Sequence, residues 1–397
     1  MSTNKKVKYV LPARPKAVAI KVFLFVTIFL LLSSQASAQE KIKDFGSKLI
    51  LESRVYYGWT LAHHLEMQNF RKHYPAYEIS LLKETFGNTR WEYMYGYPLI
   101  GISYWYAGFG GVETLGQAHA VFPYINFPLA GTQPLTFNFR LGVGLGYLTK
   151  KFDRTENYKN LSIGSHLNGA VNLLFELRWE RGKRWMISGG LSLVHFSNGT
   201  IKTPNYGANM PTLNLAVAYR FADKDKYGKK KLLPELYPFE FDGKKALQLD
   251  ISIAMATKDM QSVLGQGNRY MVYTLFANLF RPVSYKSKLG IGLDICYDGS
   301  DEKVLELRNE VPGPLIKVMK TGLTAAFELS FSKMAMVFNV GAYITGQDRS
   351  EGDVYEKFAL KYYFSDRLFA NFTLKAHFAR ADFVALGIGY KFNLHYY

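Results

Sequence analysis

The chain contains one cysteine, Cys296, which excludes an internal disulfide and any zinc site built on several thiolates. Beyond Ala38 no apolar run is long enough to span a bilayer as a helix. With a mean hydropathy of −0.08, this rules out a polytopic helical membrane protein. Acids are few beside bases, 32 against 49, and the resulting net charge of +17 suits contact with anionic surfaces such as lipid phosphates. Aromatics are abundant: 28 Tyr and 29 Phe, within a 48% hydrophobic composition, exclude disorder and favour strands. The 397 residues suffice for two or three ordinary domains or one large closed sheet.

The one apolar run lies at the start. Lys5, Lys6, Lys8, Arg14, Lys16 and Lys21 precede Val22 to Leu32, and Ala36-Ser37-Ala38 follows, the order of a cleaved secretory signal over residues 1–38. A mature chain starting at Gln39 is expected. Losing six cations and no acids would take its net charge from +17 to +11. No nucleic-acid partner is expected for an exported protein.

The rest of the chain alternates with period two. Leu135, Phe137, Phe139, Leu141, Val143, Leu145 and Tyr147 are interleaved with Thr136, Asn138, Arg140, Gly142, Gly144 and Gly146. Similar segments begin at His166, Thr321 and Val384. Strands of about 10 to 15 residues, large and apolar on one face and small or polar on the other, are too long for a soluble β-sandwich and fit an all-β transmembrane barrel of the outer membrane. Lipid offers no partner to backbone amides, so the sheet must close.

About 14 to 16 strands can be counted, starting near Ile50, Tyr77, Pro98, Gly116, Leu135, His166, Arg184, Pro211, Lys245, Arg269, Tyr285, Thr321, Met334, Val354, Arg367 and Asp382. Short turns (Gly182-Lys183, Ser332-Lys333, Ser365-Asp366) and long connections (Ala62 to Ala76, Lys150 to Ser165, Gly199 to Met210, Asp298 to Lys320) sort onto opposite ends. The basic stretch Ala222 to Gly243 is the exception and reads either as a seam between two eight-strand halves or as a slip in the count. The expected division is 39–221, carrying the site, and 222–397, adding the strands that complete the barrel.

The strand from Arg184 places Trp185, Ile187, Gly189, Leu191, Leu193, His195 and Ser197 on one face, the lipid-facing one. His195 and Ser197 point the same way with Cα atoms about 6.5 to 7 Å apart. An imidazole beside a hydroxyl on a water-poor surface is the minimum for a base-activated nucleophile. H-x-S is a cheap motif in a chain with eight histidines, and polar residues also belong where a strand enters a loop. The longer run is more specific: His195-Phe196-Ser197-Asn198-Gly199, then Lys202, Pro204-Asn205, Gly207 and Asn209. His63, His64 and Glu66 lack a third ligand nearby, so no metal is expected.

This run resembles the PagL family of outer-membrane lipid A 3-O-deacylases, over roughly Leu49 to Phe221. Gly164-Ser165-His166-Leu167-Asn168 and Tyr97-Pro98 are similar to the longer members from Bacteroidetes-type bacteria. The resemblance implies a serine esterase with Ser197 as nucleophile and His195 as base. It places Asn209 where the family has an orienting Glu. The similar outer-membrane phospholipase family uses Asn in that role, but an amide cannot stabilise imidazolium by charge. The backbone N–H groups of Asn198 and Gly199, or the Asn198 side chain, are candidates for the oxyanion hole, with Gly199 equally readable as a turn residue. Asn205 reads either as a loop brace or as a site contact.

The expected activity is removal of an ester-linked acyl chain from lipid A, the lipid component of lipopolysaccharide, in the outer membrane of a Gram-negative bacterium. No cofactor is implied. Two other readings stand beside it. One is a porin-like channel, since sixteen strands in one ring enclose a water-filled lumen and Arg140, Glu176, Arg178, Glu328 and Lys391 face inward. The other is a phospholipid acyl hydrolase.

Overall fold

The computed structural model describes residues 49–61, 68, 70, 72–109, 112–222, 246–260, 268–378 and 380–395. The signal segment, the His63–His64 pair, most of the basic stretch after Ala222 and the terminal Tyr396 and Tyr397 lie outside these residues. Among these residues sixteen antiparallel strands form two closed barrels of eight, and within each barrel consecutive strands pair.

The first barrel consists of β1 (Leu49–Trp59), β2 (His73–Lys83), β3 (Leu99–Gly108), β4 (Gln117–Thr132), β5 (Leu135–Leu148), β6 (Leu167–Arg181), β7 (Trp185–Ser197) and β8 (Ala208–Arg220). It closes by pairing β1 with β8, Ile50 opposite Arg220. The second consists of β9 (Ala246–Asp259), β10 (Arg269–Pro282), β11 (Ser287–Asp298), β12 (Lys320–Phe331), β13 (Met334–Thr345), β14 (Val354–Tyr363), β15 (Leu368–His377) and β16 (Arg380–His395), closed by β9 on β16. Three short helices interrupt the connections: α1 (Arg90–Met94), α2 (Gly299–Leu307) and α3 (Leu315–Val318).

This corrects the single wide ring. The strands from Ala246 to His395 do not complete the first barrel; they build a second one. The porin-like reading loses its lumen with it, because an eight-stranded ring is only wide enough to be filled by side chains. In the first barrel Glu52, Arg54, Glu78, Arg140, Glu176 and Arg178 are all buried at mid-height. Arg54 meets Glu176 at 2.5 Å and Glu52 at 3.0 Å, Arg140 meets Glu78 at 2.6 Å, and Arg178 meets Glu176 at 2.6 Å. Three acids balance three bases.

In the second barrel Lys361 joins Asp250 at 2.6 Å and Glu328 at 2.9 Å, while Lys357 meets Asp294 at 2.5 Å. Lysine ammoniums also lie over ring faces, Lys357 at 4.0 Å from the Phe276 centroid.

The outward faces are apolar. Leu191, Leu213, Leu215, Ile253 and Leu386 are each about 60% exposed, as a lipid-facing band requires. Toward one end the first barrel carries Trp179, Trp185 and Phe221 outward, and toward the other Tyr57, Tyr77, Tyr104 and Tyr147, the two aromatic girdles.

Strand ends differ from expectation mainly at prolines. β2 begins at His73 rather than Tyr77 and β8 at Ala208 rather than Pro211. Pro75 and Pro211 both sit in the ladder near a strand's loop end. Phe331, in the same phase as the exposed Phe327, is buried.

The two barrels stand side by side with like ends together. At the end bearing the short turns, the Tyr95 hydroxyl donates to Ser330 O at 3.0 Å and the Arg90 guanidinium lies 4.0 Å from the Tyr285 ring centroid. At the end bearing the long loops, Thr200 Oγ1 donates to Ala381 O at 2.7 Å.

Removing one acid from the dry ionic interior strands its partners. Glu176→Ala is expected to destabilise the first barrel by about 3–5 kcal/mol, whereas Glu306→Ala in the exposed Lys303–Glu306 pair leaves stability essentially unchanged. Denaturant midpoints in detergent micelles measure both; equal shifts would refute the assignment.

Candidate active site at the rim of the first barrel

Phe196 decides which way its neighbours face. Its ring is fully buried inside the barrel, 5.8 Å from the Trp105 centroid and 6.4 Å from that of Phe109. Gly146 makes the room, since a Cβ there would lie 2.4 Å from Phe196 Cε1. With Phe196 inside, strand alternation turns His195 and Ser197 outward, and both are half-buried.

The early start of β8 matters here, because it extends the ladder far enough to set Asn209 directly opposite His195. Their side chains meet at 2.6 Å, His195 Nδ1 to Asn209 Oδ1. An amide oxygen at that nitrogen selects the tautomer with the proton on Nδ1, leaving Nε2 as the basic lone pair.

The connection from β7 to β8 folds back on Ser197. Asn205 Nδ2 donates to Ser197 Oγ at 2.9 Å, and the Gly199 N–H donates to the same oxygen at 3.1 Å. Gly199 has φ of +62°, and a Cβ on it would lie 2.1 Å from Val384 Cγ2 of the second barrel, so conformation and space both demand glycine. Asn205 thus touches Ser197 and also braces the loop: its Oδ1 accepts the Asn198 N–H at 3.0 Å.

That bond occupies the Asn198 N–H considered for an oxyanion. The Asn198 side chain is also engaged, donating to Ser165 Oγ at 2.9 Å and Lys202 O at 2.8 Å. The two donors aimed at Ser197 Oγ are thus the Gly199 N–H and the Asn205 amide.

The segment before β6 supports this loop from within the first barrel. Ser162 Oγ donates to Gly207 O at 2.8 Å, and the Gly207 N–H donates back to Ser162 O at 2.9 Å. Gly164 lets the loop lie close, since a Cβ there would be 2.7 Å from Lys202 O. The Gly164–Asn168 motif is thereby joined to the site through Ser165. Tyr97 and Pro98 lie at the opposite, turn-bearing end and take no part in it. Sequence reading missed Ser162, whose bonds to Gly207 span 45 positions and leave no local pattern.

Fold and surface define a membrane β-barrel with a polar cluster facing outward at one rim. Residues 76–218 match the family model of the lipid A 3-O-deacylase (PagL), and residues 247–394 match that of the acyloxyacyl hydrolase, C-terminal domain. The chain belongs to the PagL family, the outer-membrane lipid A deacylases, with both regions present.

Among solved structures, the crystal structure of the outer membrane enzyme PagL aligns at 18% identity over 42% of this chain and 97% of that chain, with a TM-score of 0.30. A triple mutant of Rh. blastica porin aligns at 9% identity over 87% and 99%, with a TM-score of 0.17. No protein of curated function matches.

The double role of Asn205 can be separated. Asn205→Asp keeps an acceptor for the Asn198 N–H but removes the donor to Ser197 Oγ and sets a negative charge beside it. Deacylation rates should fall further in Asn205→Asp than in Asn205→Ala, which costs about 100-fold. The reverse order would leave Asn205 a brace alone.

Proposed function

We propose that the chain is an outer-membrane serine esterase that removes the 3-O-linked acyl chain of lipid A. Ser197 attacks the ester carbonyl while His195 Nε2 takes its proton, and Asn209 holds the imidazole in the required tautomer. The Gly199 N–H and Asn205 Nδ2 hold Ser197 Oγ in the resting site and turn to the carbonyl oxygen as it gains charge. The alcohol of lipid A leaves, taking the proton from His195, and water then resolves the acyl-enzyme by the same route to release a hydroxy fatty acid.

The observation that carries this reading is the outward phase of His195 and Ser197 together with the 2.6 Å contact from His195 to Asn209, in a chain matching the deacylase family. Bacterial barrels keep long loops outside, which supports an outer-leaflet position for this rim, where lipid A resides. Height agrees as well. Ten residues separate Trp185 in one girdle from His195, and at about 3.3 Å each with a tilt near 40° they rise about 25 Å, the thickness of the apolar band. A glycolipid's ester carbonyls sit at that boundary. Lys150, Lys151, Lys202 and Arg154 lie in loops on the same rim, where they suit lipid A phosphates.

Expression of the full chain in a Gram-negative host should reduce the mass of lipid A by one hydroxyacyl group and leave the phospholipid pool unchanged. Ser197→Ala should abolish the shift, and Asn209→Ala should slow it about 100-fold. A shift that persists in Ser197→Ala rejects the nucleophile. Loss of acyl chains from phospholipid instead of lipid A would favour the phospholipase reading.

A further inference from the structure

The second barrel contributes no residue to the proton-transfer chain of the proposed site, yet it grips the loop on which that site depends. Asp259, the last residue of β9, is almost fully buried. Its Oδ2 accepts both the Thr203 N–H at 3.1 Å and the Thr203 hydroxyl at 2.9 Å. Its own backbone N–H donates to Thr200 O at 2.8 Å. The second oxygen, Oδ1, accepts the Met260 N–H at 2.9 Å, which fixes the carboxylate's own orientation.

The two gripped residues lie beside the two donors to Ser197 Oγ. Thr200 follows Gly199, and Thr203 precedes Asn205 by two positions. Thr200 is tied a second time, by its hydroxyl, to Ala381 O of β16. The connection between β7 and β8 is thus pinned at both shoulders by a different barrel, and its free span is too short for Gly199 and Asn205 to shift independently of those pins.

We propose that Asp259 is a positioning residue for deacylation, and that the second barrel serves the reaction by holding the Gly199 and Asn205 donors in register with Ser197 Oγ. This rests on the reading of Ser197 as nucleophile. The carboxylate touches no reacting atom; it acts through Thr203 and Thr200. Because the donors hold the attacking Ser197 Oγ and would turn to the developing oxyanion, displacing them changes the rate of the bound complex more than its formation.

The test uses the full chain in detergent micelles with purified lipid A, following fatty acid release. Asp259→Ala should lower kcat by about 100-fold, the loss expected from a misplacement near 1 Å, with KM within about twofold of the unaltered protein. Asp259→Asn, which keeps an oxygen for Thr203, should recover most of the rate, and Thr203→Val, which loses only the hydroxyl, should fall between. Labelling of Ser197 by a fluorophosphonate should slow in the same order. Heat-modifiable gel mobility should be unchanged in all three, separating loss of alignment from loss of fold.

Full kcat in Asp259→Ala, a rise in KM at constant kcat, or an Asp259→Asn variant as slow as Asp259→Ala would each overturn the proposal. Ser197→Ala distinguishes the two levels. If it is inactive while Asp259→Ala is fully active, the positioning role alone fails; if it remains active, the nucleophile reading fails and this inference with it.

Discussion

An eight-stranded ring encloses space for side chains and nothing more, so any charge placed inside must find its opposite there. Both barrels obey this. Arg54, Arg140 and Arg178 are matched by Glu52, Glu78 and Glu176 in the first, and Lys357 and Lys361 by Asp294, Asp250 and Glu328 in the second. A lone buried ion would cost several kcal/mol, which makes these networks conditions for closure rather than additions to it. The proposed reaction on a lipid uses the outer wall instead, among residues that alternate with the packed ones.

That division of faces makes the site a by-product of core packing. Phe196 is held by Trp105 and Phe109, and Gly146 is small so that it can be. Once the ring is fixed inward, His195 and Ser197 have nowhere to point but out. The same pleat brings Asn209 beside His195 across the β7–β8 ladder. Precision then passes from strand to loop, where backbone and amide hydrogen bonds from Gly199 and Asn205 converge on Ser197 Oγ.

Much of this was legible because a strand's two faces are written in adjacent residues. The starts of β5, β10, β13 and β14 coincide with those read from alternation, and so does the outward phase of the His195 strand. What alternation does not encode is which strands meet at the closing edge. Ile50 opposite Arg220, and His395 opposite Ala246, are pairings across most of a barrel. Sixteen alternating segments are equally compatible with one ring or two. The Asn205 role was half legible, since Pro-Asn marks a turn without saying what the amide faces. Asp259 was not legible at all: a strand-terminal aspartate reads as an ordinary turn residue until the other barrel is laid against it.

The rim position reconciles two demands that conflict elsewhere on the wall. Ester cleavage through an acyl-enzyme needs the acyl chain in hydrocarbon and a water molecule at the carbonyl for the second half of the reaction. At mid-height, beside Leu213 and Leu215, the chain would be at home and water absent. Beyond the girdle, water would be plentiful and the carbonyl out of reach. Ser197 closes β7 where the apolar stripe of Ile187, Leu191 and Leu193 gives way to the polar loop, so in the proposed placement one side of it borders lipid and the other the loop's hydrogen-bond donors. Asn209 fits that boundary better than its difference from a carboxylate suggests. A charged orienter half-exposed to hydrocarbon would carry a desolvation cost in the resting state, whereas a neutral amide fixes the tautomer without it and gives up part of the stabilisation of imidazolium in return.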